Sequence, residues 1–181
     1  MDKVILQNKS FVKILDASQI QAKVKELAKS ILHHYKDVNS EIHILSILNG
    51  AFIFSADLLR ELDERFTIQF VHISSYLGMT QNPEIKLDYT IDWTTFQGKN
   101  VLIVEDIIES GNTLTELISQ FYNLKLKSLK IVCLIIKPHC VKVNFKDLIV
   151  GFEIKDEFIV GYGMDYNGLG RGLKDIYQLE N

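Results

Sequence analysis

The chain's 181 residues are 47% hydrophobic and 24% charged, a balance that fits one globular domain, 1–181, around a continuous core. A formal net charge of −3 argues against a nucleic-acid surface, because phosphate backbones select a basic face. No apolar run nears the roughly 18 residues a membrane span needs, and the opening MDKVILQNKSF is too polar for a secretory signal, so a cytoplasmic location is expected.

Ser18 precedes Ile20, Val24, Leu27, Ala28, Ile31 and Tyr35 at helical spacing, with Gln21 as its capping-box partner, and this predicts a first amphipathic helix. The run from Ile42 to Leu48 suits a buried strand, which Asn49-Gly50 breaks before a second helical pattern through Phe52, Leu58, Leu59 and Leu62. β-Branched and aromatic residues predict a strand from Thr67 to Ser74, and 76–86 (YLGMTQNPEIK) reads as a polar loop of the kind that covers sites. Val101 to Val104 is the next buried strand, followed by a helix from Thr113 to Leu124 and a strand from Leu129 to Ile136. Two further strand candidates, Leu148 to Phe152 and Phe158 to Tyr162, precede a tail containing Gly168, Gly170 and Gly172. The alternation of strand and helix predicts an α/β fold around a parallel sheet. Cys133 and Cys140 lack a metal or redox spacing and read as structural thiols, and no histidine has a metal-ligand spacing.

In open α/β sheets ligands bind beyond the carboxyl ends of the strands, where this reading puts Glu105 and Asp106. Ser110, Gly111, Asn112 and Thr113 then offer hydroxyls, a permissive turn and unpaired backbone N–H groups at a helix start, which together make an anion cradle. Carboxylates beside such a cradle repel a phosphorylated ligand unless a cation or the ligand's own hydroxyls intervene, and a sugar phosphate with Mg²⁺ supplies both. Alone, the two acids read equally well as helix caps or a solvated loop; the hydroxyl-rich turn tips the balance. The segment is neither a GxxxxGK[ST] P-loop nor GxGxxG, and a phosphoacceptor domain leaves the turn unexplained.

With its acids and turn in that order, VLIVEDIIESGNTL at 101–114 resembles the signature of type I phosphoribosyltransferases. LNGAFIFSADLL at 48–59, SSY at 74–76, Lys137 and DEFIVGYGMDY at 156–166 narrow the resemblance to the hypoxanthine-guanine phosphoribosyltransferases. The resemblance implies a parallel-sheet core flanked by helices, with a small hood made from the N- and C-terminal segments. It implies purine salvage: 5-phosphoribose passes from phosphoribosyl pyrophosphate to hypoxanthine or guanine, with Mg²⁺, in a homodimer or homotetramer with no nucleic-acid or membrane partner. By the same resemblance Glu105 and Asp106 bind the ribose hydroxyls directly or through Mg²⁺, and Ser110 to Thr113 hold the 5-phosphate. Leu48, Asn49 and Gly50, in a loop with a cis non-proline peptide, meet the pyrophosphate with Arg171. Lys137 donates to the purine's 6-oxo group, Phe158 stacks on the ring, the Ile159 backbone reads its edge, and Asp165 adds a second Mg²⁺ site beside the base. Ser75 and Tyr76 begin a mobile loop that closes over the reacting centre.

Three positions depart from the family pattern. Glu109 stands where an aspartate commonly takes the proton from purine N7; it keeps the carboxylate and adds one methylene. Asn49 replaces a lysine or arginine of the pyrophosphate loop, and PHCVK after Lys137 lacks an arginine often found there, so more of that binding falls to Arg171 and metal. A related enzyme acting on xanthine or a pyrimidine base is the nearest rival, and an RNA-binding regulator on the same fold, similar to the pyrimidine-operon attenuation proteins, is a rival of another class.

Overall fold

The computed structural model describes residues 2–76, 84–87 and 91–180. Three strands are consecutive parallel neighbours at the centre of a larger sheet: β3 (Ile42–Leu48), β6 (Asn100–Ile108) and β7 (Ser128–Ile136). β4 (Phe66–Tyr76) joins parallel to β3 and β8 (Leu148–Glu153) parallel to β7, while β5 (Glu84–Leu87) closes one edge antiparallel to β4. The near-continuous apolar sequence of β3, β6 and β7 follows from burial on both faces. Ile44, Leu102, Val104, Val132 and Leu134 face helices α1 (Ala17–His34) and α2 (Phe52–Arg60), whereas the alternate residues Leu45, Val101, Ile103, Ile131 and Cys133 pack with α3 (Asn112–Ser119).

A second, four-stranded antiparallel sheet joins the two ends of the chain in the order β1 (Lys3–Leu6), β2 (Lys9–Leu15), β10 (Ile176–Leu179), β9 (Ile159–Val160). Phe11, Val160 and Tyr177 form its core. The sequence reading found neither the N-terminal hairpin nor β10. β2 and β10 are half-buried strands that pair with each other from opposite ends of the chain, so their apolar alternation is short, and the hairpin turn between β1 and β2, with Gln7 at φ 53°, carries no glycine.

Several boundaries differ from expectation for local reasons. Asp16, not Ser18, caps α1: its carboxylate accepts from the Gln19 N–H at 2.9 Å, and its own N–H donates to Gln19 Oε1 at 3.0 Å. The capping box therefore sits two residues earlier, and the Ser18 hydroxyl donates to Asp16 from inside the helix. α3 ends at Ser119 rather than Leu124, because the N–H groups of Gln120, Phe121 and Tyr122 bond three residues back and tighten the last turn. Residues 84–86 of the expected loop are strand β5, and Tyr76 lies in β4; 77–83 fall outside the described residues. The strand expected over Phe158 to Tyr162 shrinks to Ile159–Val160, since Gly161, Tyr162 and Gly163 all adopt positive φ. No described helix is long and apolar enough to cross a membrane.

Candidate active site

The site begins where β3 and β6 part. Their pairing ends at Ser46 opposite Val104, although β3 runs on to Leu48 and β6 to Ile108, still paired with β7. Glu105 and Asp106 thus lie within β6, not after it as the sequence reading had them, but they lie past its last β3 partner. The notch between the strands takes the loop after β3. The Leu48–Asn49 peptide is cis, Asn49 is exposed, and Gly50 lies so close to the acids that a Cβ there would come 1.9 Å from Asp106 Oδ2. Gly163, at φ +104°, closes on the same loop from the other side, where a Cβ would meet the Gly50 carbonyl oxygen at 2.0 Å. Asp106, Gly50 and Gly163 therefore form a stack with no room for a methyl group.

β6 ends on the anion cradle. Gly111, at φ +84°, caps α3 without a side chain, and the first helical bond runs from Thr115 N–H to the Gly111 carbonyl at 3.0 Å. This leaves the N–H groups of Asn112, Thr113 and Leu114 without helical acceptors, and Ser110 Oγ accepts weakly from the first of them at 3.3 Å. The turn is braced by residues the sequence reading passed over. Lys142 N–H donates to the Ser110 carbonyl at 3.3 Å, and the Phe145 ring lies 2.9 Å from where a Gly111 Cβ would stand.

Opposite the acids is a cavity of about 270 Å³ lined by Gly50, Asp106, Glu109, Phe158, Asp165 and Arg171, with the Ile159 segment behind it. Phe158 is 47% exposed and meets Tyr166 edge-on at 5.8 Å, leaving a ring face available to a planar ligand. Arg171 pairs with Asp165 at 2.5 Å and donates to the Gly163 carbonyl at 2.7 Å; the Gly168 N–H holds Asp165 at 2.6 Å. Lys137 does not line this cavity but is buried beside it, in contact with Glu109, which does. Ser75 and Tyr76 are described only by their backbone, paired with Ile85 and Glu84. Behind the glycine turn, Tyr162 donates to Asp57 of α2 at 2.7 Å, and Gln21 of α1 donates to the same carboxylate oxygen at 2.6 Å. A larger apolar cavity of about 360 Å³ under α3, lined by Ile118, Val143 and Phe145 among others, contains none of these groups.

Residues 12–167 match the phosphoribosyl transferase domain family. A hypoxanthine-guanine phosphoribosyltransferase of Aquifex aeolicus is 37% identical over 97% of this chain and 98% of its own length. The hypoxanthine phosphoribosyltransferase of Escherichia coli is 40% identical over 84% of this chain and 86% of that protein. A Bacillus anthracis hypoxanthine-guanine phosphoribosyltransferase crystal structure superposes with a TM-score of 0.82 at 41% identity, covering 93% of this chain and 98% of that one. The chain belongs to the hypoxanthine-guanine phosphoribosyltransferase family. Its fold is the type I phosphoribosyltransferase fold, a parallel sheet flanked by helices.

The acid pair of this phosphoribosyltransferase is electrostatically unsatisfied. Burial, then the Asp106 charge and the hydrogen bond between the two side chains, hold the Glu105 carboxyl well above the usual range. Burial also raises Asp106, against hydrogen bonds from Glu105 and from backbone N–H groups and the charge of Arg171. Glu105 Oε2 is buried with no hydrogen-bond partner among the described residues. A carboxyl whose folded pKa is raised stabilises the fold below its unfolded value, near 4.5, and that contribution is lost as pH rises through the folded value. On this group's account the metal-free protein should be less stable at pH 8 than at pH 5. Glu105→Gln, which cannot ionise, is expected to flatten that fall and to be more stable than the parent at pH 8 by about 1–2 kcal/mol. Urea unfolding in EDTA at both pH values measures this, and a variant no more stable than the parent at pH 8 would show that the pair is not strained.

Proposed function

We propose that this protein transfers 5-phosphoribose from phosphoribosyl pyrophosphate to N9 of hypoxanthine or guanine, releasing pyrophosphate, a reading supported by relatives named hypoxanthine-guanine and hypoxanthine phosphoribosyltransferase. The observation that carries this reading is one cavity lined by Asp106, Glu109, the exposed Phe158 and Arg171, with Glu105 next to Asp106 in β6, Lys137 paired to Glu109, and the anion cradle at the start of α3 directly following Glu109 in the chain. Each is matched to a different part of the two substrates.

Glu105 and Asp106 fit a ribose diol, because a carboxylate only accepts and a diol donates. The N–H groups at the start of α3, with Ser110 and Thr113 hydroxyls, fit the 5-phosphate. Gly50 and Arg171 face the pyrophosphate, Leu48 and Asn49 shape its loop, and the absence of a methyl at Gly50 lets the backbone approach it. The acids also fit Mg²⁺: they supply hard oxygens at a point where Glu105 Oε2 lacks a partner, and magnesium sites are commonly completed by substrate phosphates. Glu105 and Asp106 would hold one metal and Asp165 would serve a second, and a bound metal would neutralise charge on the leaving pyrophosphate.

In the transfer the bond from C1′ to the pyrophosphate oxygen breaks and a bond from C1′ to purine N9 forms, with inversion at C1′. Glu109 takes the proton released at N7. Phe158 stacks on the base and the Ile159 backbone reads its edge. Lys137 donates to the 6-oxo group; an ammonium has donors only, so it satisfies an oxo group and leaves the adenine amino group unpaired. The segment that starts at Ser75 and Tyr76 closes over the reacting centre and keeps water from the ribosyl cation-like transition state. The proposal includes one domain with the terminal sheet as a hood, a homodimer or homotetramer, and a cytoplasmic location.

The test is pyrophosphate release with phosphoribosyl pyrophosphate, Mg²⁺ and a panel of hypoxanthine, guanine, xanthine, adenine, uracil and orotate. Hypoxanthine and guanine should turn over, with adenine poorer by about 10²-fold or more. Turnover of adenine or orotate without hypoxanthine overturns the reading.

A further inference from the structure

Lys137 is a buried cation with a 5% exposed side chain, and it has two anionic partners of different kinds. One is Glu109, from the turn between β6 and α3, which it contacts directly. The other is Asp156, from the turn between β8 and β9, whose Oδ1 lies 3.4 Å from Nζ. Cys140 is the third neighbour: its N–H donates to the Lys137 carbonyl at 2.9 Å, and burial with the nearby Asp156 charge pushes its thiol pKa up. Burial works to lower the Lys137 pKa, but the bond to and charge of Glu109, followed by those of Asp156, carry it above the ordinary lysine value.

The two anions cannot have the same fate during the reaction. In the proposed mechanism Glu109 must leave Lys137 to reach purine N7, and it becomes neutral when it takes the proton. Its arm is one methylene longer than the aspartate common in the family, and in the free protein that arm is spent on Lys137. When Glu109 turns away, the buried ammonium would have no counter-charge unless a second carboxylate remained. Asp156 is that carboxylate. It lines none of the substrate cavity and sits two residues before Phe158, on the segment that forms the far wall of the base pocket. An ammonium has three donors, enough for Asp156, Glu109 and one purine oxygen.

We propose that Asp156 is a positioning residue for 6-oxopurine recognition, keeping Lys137 charged and aimed at the exocyclic oxygen while Glu109 is drawn to N7. The proposal rests on the reading that Lys137 donates to the purine. It makes Asp156 a determinant of base specificity without contact to the base. A Lys137 that lost its proton would carry a lone pair, accept from a 6-amino group, and give up its preference for an oxo group.

Asp156 is 70% exposed, so its influence is modest in size and specific in kind. Asp156→Asn should raise the KM for hypoxanthine about threefold to fivefold, and leave kcat and the KM for phosphoribosyl pyrophosphate within about twofold. The alkaline limb of kcat/KM for hypoxanthine should move to lower pH by about half a unit, because removing an anion makes Lys137 easier to deprotonate. Asp156→Glu should restore both. Lys137→Met is run alongside and should raise the hypoxanthine KM about tenfold or more. If Lys137→Met leaves hypoxanthine KM unchanged, the lysine reading fails and this inference fails with it. If Lys137→Met is impaired while Asp156→Asn matches the parent enzyme in KM and pH profile, only the role of Asp156 is overturned. A uniform loss across kcat and both KM values that glutamate does not restore marks a folding effect and overturns it as well.

Discussion

Replacing Glu109 with glutamine should lower kcat for hypoxanthine by about 10²- to 10³-fold, the usual worth of a positioned general base. Glutamine keeps the length of the arm and its capacity to accept a hydrogen bond, so the loss isolates proton transfer from shape. The KM for phosphoribosyl pyrophosphate should stay within about twofold, because the proposed mechanism gives Glu109 to the base and leaves the sugar phosphate to the β6 acids and the α3 N-terminus. Glu109→Asp is the informative companion. It keeps the carboxylate, restores the shorter arm of the family, and withdraws the direct partner that Lys137 has in the free protein. Its kcat should remain within about tenfold of the parent while the glutamine variant falls far below both. Steady-state pyrophosphate release decides between these outcomes, and a glutamine variant with undiminished kcat would remove Glu109 from the proton chemistry.

What could be read in the sequence was what is local in the fold. Glu105, Asp106 and the Ser110 to Thr113 turn lie within nine consecutive residues of one strand–turn–helix unit, so their order already described a site. β3, β6 and β7 were legible because strands buried on both faces are continuous apolar runs, and the part-buried edge strand β8 because its LIVGF run is apolar too. The rest depended on partners remote in sequence. β2 takes its register from β10, across most of the chain, and Phe145 matters only because α3 begins beneath it. Asp156 and Asp57 look like solvated charges until Lys137 and Tyr162 are placed beside them. The glycines show the same division. The sequence drew attention to Gly168, Gly170 and Gly172, yet Gly168 and Gly172 have nothing within 4 Å of an added Cβ, whereas Gly50 and Gly163 are in steric contact with the site.

The stack of Asp106, Gly50 and Gly163 leads to the other large effect. Gly163→Ala should destabilise the protein by about 2–4 kcal/mol, combining the strain of a side chain at φ +104° with overpacking. The clashing group is the Gly50 carbonyl oxygen, 2.0 Å from the new Cβ, and a backbone atom in a short loop cannot rotate aside. The loop after β3, proposed to meet the pyrophosphate, must itself move, and displacement of about 1 Å is enough to cost about 10²-fold in kcat/KM. Gly50→Ala should differ in kind. Its Cβ meets a side chain, the Asp106 carboxylate at 1.9 Å, which can turn away, so the stability cost should be about 1–2 kcal/mol. In the proposed mechanism a turned Asp106 no longer serves the ribose and the metal, so the loss in kcat/KM for phosphoribosyl pyrophosphate should be as large as for Gly163→Ala. Gly172→Ala, with nothing within 4 Å and no positive φ, is the control and should match the parent in both measurements. Thermal unfolding and steady-state kinetics of the three variants separate the two causes. Equal stability losses at Gly50 and Gly163 would mean that Asp106 cannot yield, and full activity in either variant would mean that the close approach of this loop to the acids is not what positions the sugar phosphate.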